Sequence, residues 1–299
     1  MKLKSNFPNI NLKTLLALLL LVLGEQAYSQ KNKSMNKIHS KKYQIGWENL
    51  KTIDGKAGEK IVASLEGISP DLATYIIAFA FGDIYERPLL DHKTKEIVIV
   101  AGLTAMGNVR AQLKVHLHAA LNVGWTIAEV QEVILQMTVY SGFPSAVNGM
   151  TILKEVLEER KAQGVKDPKG HSKQVEIPEG KTRMDVGIAQ LEKLDAAPLD
   201  KLNEAFEDVS PDFMKYVLEY GFADILARPG LDYKTREMAT ISALTALGLT
   251  DQLKFHIRGA MNLGASKEEV AEIMILMGVF SGFPSAVNGT LALKEVTGE

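Results

Sequence analysis

Ser141-Gly142-Phe143-Pro144-Ser145-Ala146-Val147-Asn148-Gly149 recurs unchanged as Ser281-Gly282-Phe283-Pro284-Ser285-Ala286-Val287-Asn288-Gly289. The offset is 281 − 141 = 140, and the register holds through Leu153-Lys154-Glu155-Val156 and Leu293-Lys294-Glu295-Val296. An identity this long is no accident, so the chain is two copies of one unit. A residue with a shared role should therefore be found twice.

Working outward from the repeat, both copies read as a series of helices. Thr126 with Glu129, and Ser266 with Glu269, are capping boxes that open the helix before the repeated stretch. The Ser-Gly-Phe-Pro turn breaks that helix, and the last helix of copy one runs from Ala146 to about Ala162. Upstream, Asn122-Val123-Gly124 and Asn262-Leu263-Gly264 end helices that carry Gln112 and His116, or Gln252 and His256. Asp91 and Asp232 cap the helices before those, which end at Gly107 and Gly248. Ser69-Pro70-Asp71 and Ser210-Pro211-Asp212 are helix starts. The helix from Ser69 is expected to run to Arg87-Pro88 and to bury Leu72, Tyr75, Ile76, Phe79 and Ala80. The β-branched run Glu96-Ile97-Val98-Ile99-Val100 invites a strand, but its equivalent Glu237-Met238-Ala239-Thr240-Ile241 does not. The fold class read from these patterns is all-α.

The expected domains are residues 43–162 and 183–299, joined by a Gly- and Pro-bearing linker at 163–182. Lys2, Lys4 and Lys13, the apolar run Leu15 to Leu23, and Ala27-Tyr28-Ser29 read as a signal peptide over residues 1–29, cleaved before Gln30. Residues 30–42 read as a mobile leader. The mature protein is thus expected to be exported, periplasmic or secreted, with no membrane attachment after cleavage. A formal net charge of −2 lacks the basic excess of a nucleic-acid binder. There is no cysteine, which removes disulfides, thiolate nucleophiles and Cys-ligated metals.

Six histidines are present, and only His116 and His256 occupy equivalent positions. Gln112 and Gln252 lie four residues earlier, on the same helix face. Such a histidine is either a hydrogen-bonded core residue or an acid–base group. Glu96 and Glu237 are the shared acids one helix upstream. They either stabilise a helix N-terminus or orient the histidine. Arg87 and Arg228 precede prolines; each is a helix-end cap or a carboxylate clamp. Asn148 and Asn288, in the repeated stretch, are local caps or ligand-facing amides. One histidine, one glutamate and one glutamine per copy fall short of a transition-metal ligand set, and no dinucleotide or phosphate-binding fingerprint occurs, so no metal and no cofactor are expected.

Arg87-Pro88-Leu89-Leu90-Asp91-His92-Lys93-Thr94-Lys95-Glu96 and Arg228-Pro229-Gly230-Leu231-Asp232-Tyr233-Lys234-Thr235-Arg236-Glu237 resemble the Arg-Pro-Gly-Leu-Asp…Thr-Arg signature of carboxymuconolactone decarboxylases. The helices from Gln112 to Leu121 and from Gln252 to Met261 resemble the same family. The resemblance implies two tandem alkylhydroperoxidase D-like helical domains, which normally assemble as rings of such units. It also implies cofactor-free decarboxylation of a small lactone acid. His116 and His256 would be the general acids, Glu96 and Glu237 their partners, and Gln112 and Gln252 donors to the oxyanion. Arg87 and Arg228 would anchor the substrate carboxylate, beside apolar turns at Phe143 and Phe283. Two departures stand out. The peroxidase branch carries Cys-x-x-Cys where this chain has Val109 with Gln112 and Leu249 with Gln252; classical decarboxylases commonly carry glutamate at the position of Gln112 and Gln252. Other readings are a lyase or isomerase acting on another small substrate, or a non-catalytic binding or assembly protein. The apolar residues Ile134, Met137, Val139 and Tyr140, with Met274, Met277, Val279 and Phe280, exceed what one small core needs, so a homo-oligomer is expected, a trimer of two-unit chains.

Without a thiol, the mature protein should not reduce alkyl hydroperoxides in the presence of a dithiol reductant. Peroxide consumption above the buffer control would overturn that expectation.

Overall fold

The computed structural model describes residues 24–26, 41–53, 55–195, 199, 200, 204, 206 and 208–298. Apart from residues 24–26, the expected signal segment lies outside the described residues, as does the expected leader up to residue 40; residues 41 and 42 belong to the first helix rather than to a mobile leader. No strand occurs among the described residues, and the all-α reading stands. Copy one contains α1 (41–53), α2 (Ala57–Glu66) and α3 (Pro70–Tyr75), the last continuing as a π-helix over Ile76–Ile84. It then has α4 (His92–Met106), α5 (Arg110–Asn122), α6 (Ile127–Tyr140) and α7 (Phe143–Ala162). Copy two contains α8 (Arg183–Leu194) and α9 (Pro211–Tyr216), the latter extended by a π-helix over Val217–Leu226. It closes with α10 (Tyr233–Leu247), α11 (Thr250–Asn262), α12 (Lys267–Phe280) and α13 (Phe283–Thr297).

The centre of the molecule is α4 lying along α10, the most extensive contact between any two elements. Ile97, Val98, Ile99, Val100 and Ala101 are all completely buried. A helix apolar on every side must be surrounded by protein. This explains the strand-like run: it is a helix enclosed by α5, α6, α7, α10 and α12, and no solvent face interrupts it. The two central helices approach closely enough for the Ser242 hydroxyl to donate to the Val98 carbonyl at 2.6 Å. A single hydrophobic core draws on both copies, from Leu50 and Ile53 to Ala292 and Leu293. A smaller cluster of Leu191, Leu194, Met214, Leu218, Phe222 and Leu226 lies under α8 and the second π-helix.

Two expectations are corrected. The helix from Ser69 does not continue as an α-helix but widens into i→i+5 bonding at Ile76. The wider turn moves its buried face to Ala73, Ile77, Ala78, Phe81 and Gly82, leaving Leu72, Tyr75 and Phe79 exposed. Copy two repeats the widening, and the same backbone explains a repeated glycine. A side chain at Gly46 or Gly187 would collide with the Ile77 or Leu218 carbonyl of the π-helix, so α1 and α8 can seat on it only through glycine. The second correction concerns apolar surface. Ile134, Met137, Met274 and Met277 are fully buried inside this chain, because α6 and α12 pack against the opposite copy's central helix as well as their own.

Charges reinforce this packing in a reciprocal way. Arg87 of copy one forks onto Glu272 of copy two, with Nε donating to Oε2 at 2.7 Å. Arg228 of copy two forks onto Glu132 of copy one, at 2.8 Å from Nε and 2.7 Å from Nη2. Glu132 also accepts from Arg236 at 3.0 Å and from the Ser172 hydroxyl of the connecting segment. That segment is pinned elsewhere too: Ile127 and Ala128 donate backbone bonds to Pro168 and Lys169. Burial alone would raise the Glu132 carboxyl, but hydrogen bonds from Arg228, Ser172 and Arg236 outweigh it and hold the group below its ordinary value.

Removing the Glu132 charge strands Arg236, which is 1% exposed, and Arg228. Glu132→Gln should destabilise the protein by ~3–5 kcal/mol, whereas Glu272→Gln, whose partner Arg87 is partly exposed and can regain water, should lose about 1 kcal/mol or less. Because folding lowers the Glu132 pKa, its contribution is full above the ordinary carboxylate range and fades as the pH falls through the folded value. Chemical denaturation of both variants at neutral and acidic pH checks this; equal losses at neutral pH would rule out the buried clasp.

Candidate active site

Each site begins with a cap. Asp91 accepts from the Thr94 amide at 2.7 Å and Asp232 from the Thr235 amide at 2.9 Å, fixing the first turn of α4 and of α10. From those starts Glu96 and Glu237 point inward, at 0% and 2% exposure. The neighbouring helices α5 and α11 bring His116 and His256 against them. His116 Nδ1 lies 2.8 Å from Glu96 Oε2, and His256 Nδ1 lies 2.7 Å from Glu237 Oε2. A buried carboxylate on Nδ1 fixes the ring's orientation and tautomer, leaving Nε2 as the atom that can exchange a proton with a ligand.

The ring of each histidine is covered by the other copy. Phe280 of copy two meets His116 edge-on at 4.9 Å, and Tyr140 of copy one meets His256 edge-on at 5.3 Å. Both residues end the helix just before the repeated stretch. The turn that follows also crosses over: Phe143 packs on Tyr220 at 5.7 Å, and Phe283 on Phe79 at 6.2 Å. Neither histidine site is complete within one copy.

His256 opens onto a cavity of ≈ 620 Å³. Gln252 and Tyr140 line it with aromatic walls that include Phe143, Phe213, Tyr220 and Phe255, and Arg258, Asp195 and Asp251 also border it. The volume and the mostly apolar lining are those of a small-molecule site. The Tyr140 ring borders the cavity, while its hydroxyl is buried beside Thr240 of α10. Burial, and then the Glu237 charge, push it well above its ordinary pKa, so it remains a protonated donor.

The sites differ in detail. In copy one the Tyr85 hydroxyl donates to Glu96 Oε1 at 2.5 Å, so that carboxylate has a partner on each oxygen. The equivalent residue in copy two is Leu226. His118, at the position of Arg258, is half-buried beside Glu159.

The structure therefore brings together His116 with Glu96 and His256 with Glu237. Gln252 joins its histidine at the cavity, and Gln112 is exposed one helical turn before His116. Arg87 and Arg228 are held in the inter-copy clasps by Glu272 and Glu132, and Arg228 does not line the His256 cavity. Asn148 and Asn288 are exposed on α7 and α13, away from that cavity's lining. Sequence reading did not single out Tyr85, Arg258 or Tyr220, and it saw Tyr140 and Phe280 only as apolar surface. Their one signal is a difference: positions 140 and 280 flank an otherwise identical stretch yet carry tyrosine and phenylalanine.

A 4-carboxymuconolactone decarboxylase of Acinetobacter baylyi is 32% identical over 92 residues, covering 31% of this chain and 68% of that protein. An uncharacterized 15.0 kDa protein of Paracoccus denitrificans is 39% identical over 83 residues, 27% of this chain and 62% of its own length. A nitrosuccinic acid decarboxylase of Metarhizium robertsii is 29% identical over 89 residues, 30% of this chain and 62% of that protein. The sequence pattern of the carboxymuconolactone decarboxylase family matches residues 70–155 and again 211–295, which takes in Glu96, His116, Glu237 and His256. With that pattern present in both copies, the chain belongs to the carboxymuconolactone decarboxylase family.

Proposed function

We propose that the protein is a cofactor-free carboxy-lyase acting on a small lactone carboxylic acid, with His256 and His116 as proton donors to carbon. One observation carries the reading: a histidine with Nδ1 fixed on a buried glutamate, found in both copies, with His256 facing an apolar cavity. In the reaction the bond between the carboxylate carbon and the ring breaks and carbon dioxide leaves. The electron pair stays behind as a conjugated lactone dienolate. His Nε2–H then delivers a proton to carbon, and a solvent proton restores the imidazolium. Glu237 and Glu96 stabilise that cation, and the aromatic walls favour loss of a poorly hydrated carboxylate. Gln252 is placed to donate to the developing oxyanion.

Arg228, neutralised by Glu132, is a poor carboxylate anchor, and Arg258 at the cavity is better placed for that role. The Metarhizium relative supports a broader version of the same chemistry. That relative is named for decarboxylation of nitrosuccinic acid, another small carboxylic acid.

The test is ultraviolet and carbon dioxide assay with 4-carboxymuconolactone. The double variant His116→Ala/His256→Ala should lose ~100-fold or more in kcat while keeping its helical circular dichroism. A folded double variant with wild-type kcat would make both histidines structural.

Assembly is part of the proposal. Equivalent apolar side chains stand exposed in both copies: Leu72 and Phe213, Tyr75 and Tyr216, Phe143 and Phe283, Val147 and Val287. Such twice-repeated apolar surface is unusual on a monomer, and a trimer of mature chains, giving six units, would cover it. Light scattering from the mature chain at micromolar concentration should give three chain masses; a single mass would overturn the assembly.

A further inference from the structure

We infer that Gln136, Thr240 and the Tyr140 hydroxyl are positioning residues for His256: a buried hydrogen-bonded chain ties the Tyr140 ring, and through it the imidazole, to the inter-copy clasp, and copy one has no counterpart. The inference takes His256 as the working group of copy two, as proposed above, and does not depend on which substrate that group serves.

The chain starts at the clasp. Glu132 holds Arg236 at 3.0 Å, and Arg236 Nη1 donates to Gln136 Oε1 at 3.1 Å. The Gln136 amide nitrogen donates to Thr240 Oγ1 at 2.8 Å and to the Arg236 carbonyl at 2.9 Å. Thr240 gives its one proton to that same carbonyl at 3.0 Å. Its oxygen keeps a second lone pair, and the buried, protonated Tyr140 hydroxyl lies beside it as the donor. Gln136 and Thr240 are completely buried, where a polar group that loses its partner is costly. Neither lines the cavity, so the chain acts on the histidine and not on a ligand. At the other end of Tyr140 its ring meets His256 edge-on at 5.3 Å, and Phe255 meets the same imidazole edge-on at 5.0 Å. The bond from Nδ1 to Glu237 fixes one atom of the imidazole, and a swing about that atom is limited by the rings against it. A phenol bonded at its far end is a firmer stop than a ring held by packing alone.

Copy one makes the same contacts without the chain. The positions of Gln136, Thr240 and Tyr140 carry Leu276, Ile99 and Phe280, and that of Arg236 carries Lys95. Leu276 and Ile99 are buried, and Lys95 turns to the Tyr85 and Arg87 carbonyls instead. The polar side chains are present together in one copy and replaced together in the other, as a network with no tolerance for a missing member requires. The tie to copy one's own pair comes from the carboxylate side, where the Tyr85 hydroxyl bonds Glu96. Because Gln136 and Tyr140 lie on α6 and Thr240 on α10, the copy-two histidine is positioned across the junction between the units.

Nuclear magnetic resonance of the full mature chain with labelled histidine rings, assigned through His116→Gln and His256→Gln, tests this. Thr240→Val and Gln136→Leu should each move or broaden the His256 ring signals and leave those of His116 in place. In a Tyr140→Phe background, where the last link is cut and the ring is kept, the same two substitutions should leave His256 unmoved. Circular dichroism checks the fold, and Thr240→Val, which keeps the side-chain shape, carries the test where Gln136→Leu does not fold. Equal movement of His256 with and without the Tyr140 hydroxyl, equal movement of His116, or no movement at all would each overturn the inference. Turnover of 4-carboxymuconolactone is a separate readout. With copy one silenced by His116→Ala, Tyr140→Phe should lower kcat ~tenfold and leave KM within about twofold, since the surface facing the ligand is unchanged. An active chain whose kcat ignores Tyr140→Phe also overturns the positioning role. A chain whose His256 signals respond as expected but which leaves the lactone intact keeps this inference and defeats the decarboxylase reading; an active chain whose His256 signals ignore Thr240 does the reverse.

Discussion

The packing of α4 along α10 sets the terms for everything else in this protein. Each of these helices carries the glutamate of its own site, and each is buried on all sides because the other copy covers the face that a lone unit would leave wet. Removing a carboxylate from water is expensive unless the charge is bonded in place. Glu96 and Glu237 are bonded by histidine on one oxygen, and Glu96 by Tyr85 on the other. Separate the two helices and the glutamates regain water, and the covering aromatics depart with the opposite copy. Site and subunit core are therefore one construction.

Exchange between the copies is the consistent theme. Arg87 reaches Glu272 and Arg228 reaches Glu132; Phe280 covers His116 and Tyr140 covers His256. A pair of identical chains would make these contacts twice with identical residues. Fusion in one chain lifts that constraint, since each member of a reciprocal pair is separately encoded. The central clasp shows the result. Arg236 in copy two bonds Glu132 and Gln136, while Lys95 at the same position in copy one caps the Tyr85 and Arg87 carbonyls. Asymmetry of this kind is available to the sites as well as to the scaffold.

Much of the fold could be read directly. The repeat, the Asp91 and Asp232 caps, the two capping boxes and the glycine stops all act through local backbone chemistry, and the helices begin and end close to where those residues place them. The glutamate–histidine pairing was legible because both residues recur in step with the repeat. The π-helical segments were not, since Ile76–Ile84 satisfies an α-helical pattern as well; the wider turn is decided by α1 and α8 seating on it through Gly46 and Gly187. Partners from the opposite copy were equally hidden. Ile134 and Met137 look like excess apolar surface until α10 is laid against them, because periodicity within one segment carries no information about which distant segment will cover it.

The same limit explains why Arg87 and Arg228 mislead. A guanidinium repeated beside a proline, in a chain expected to hold an acid, invites a substrate clamp, yet forked geometry serves an internal glutamate equally well. Identity between the copies selects residues on which both halves of the architecture depend, and a clasp qualifies as readily as a catalyst. Difference between the copies carries other information. When residues 141–149 and 281–289 are identical and the residue just before them changes from Tyr140 to Phe280, the backbone is held constant while one hydroxyl is added or removed. Packing is nearly indifferent to that change, for both rings meet a histidine edge-on at similar distance. The hydroxyl lies buried beside Thr240, so the exchange alters the polar interior on α10 behind His256 while each ring keeps its place against a histidine.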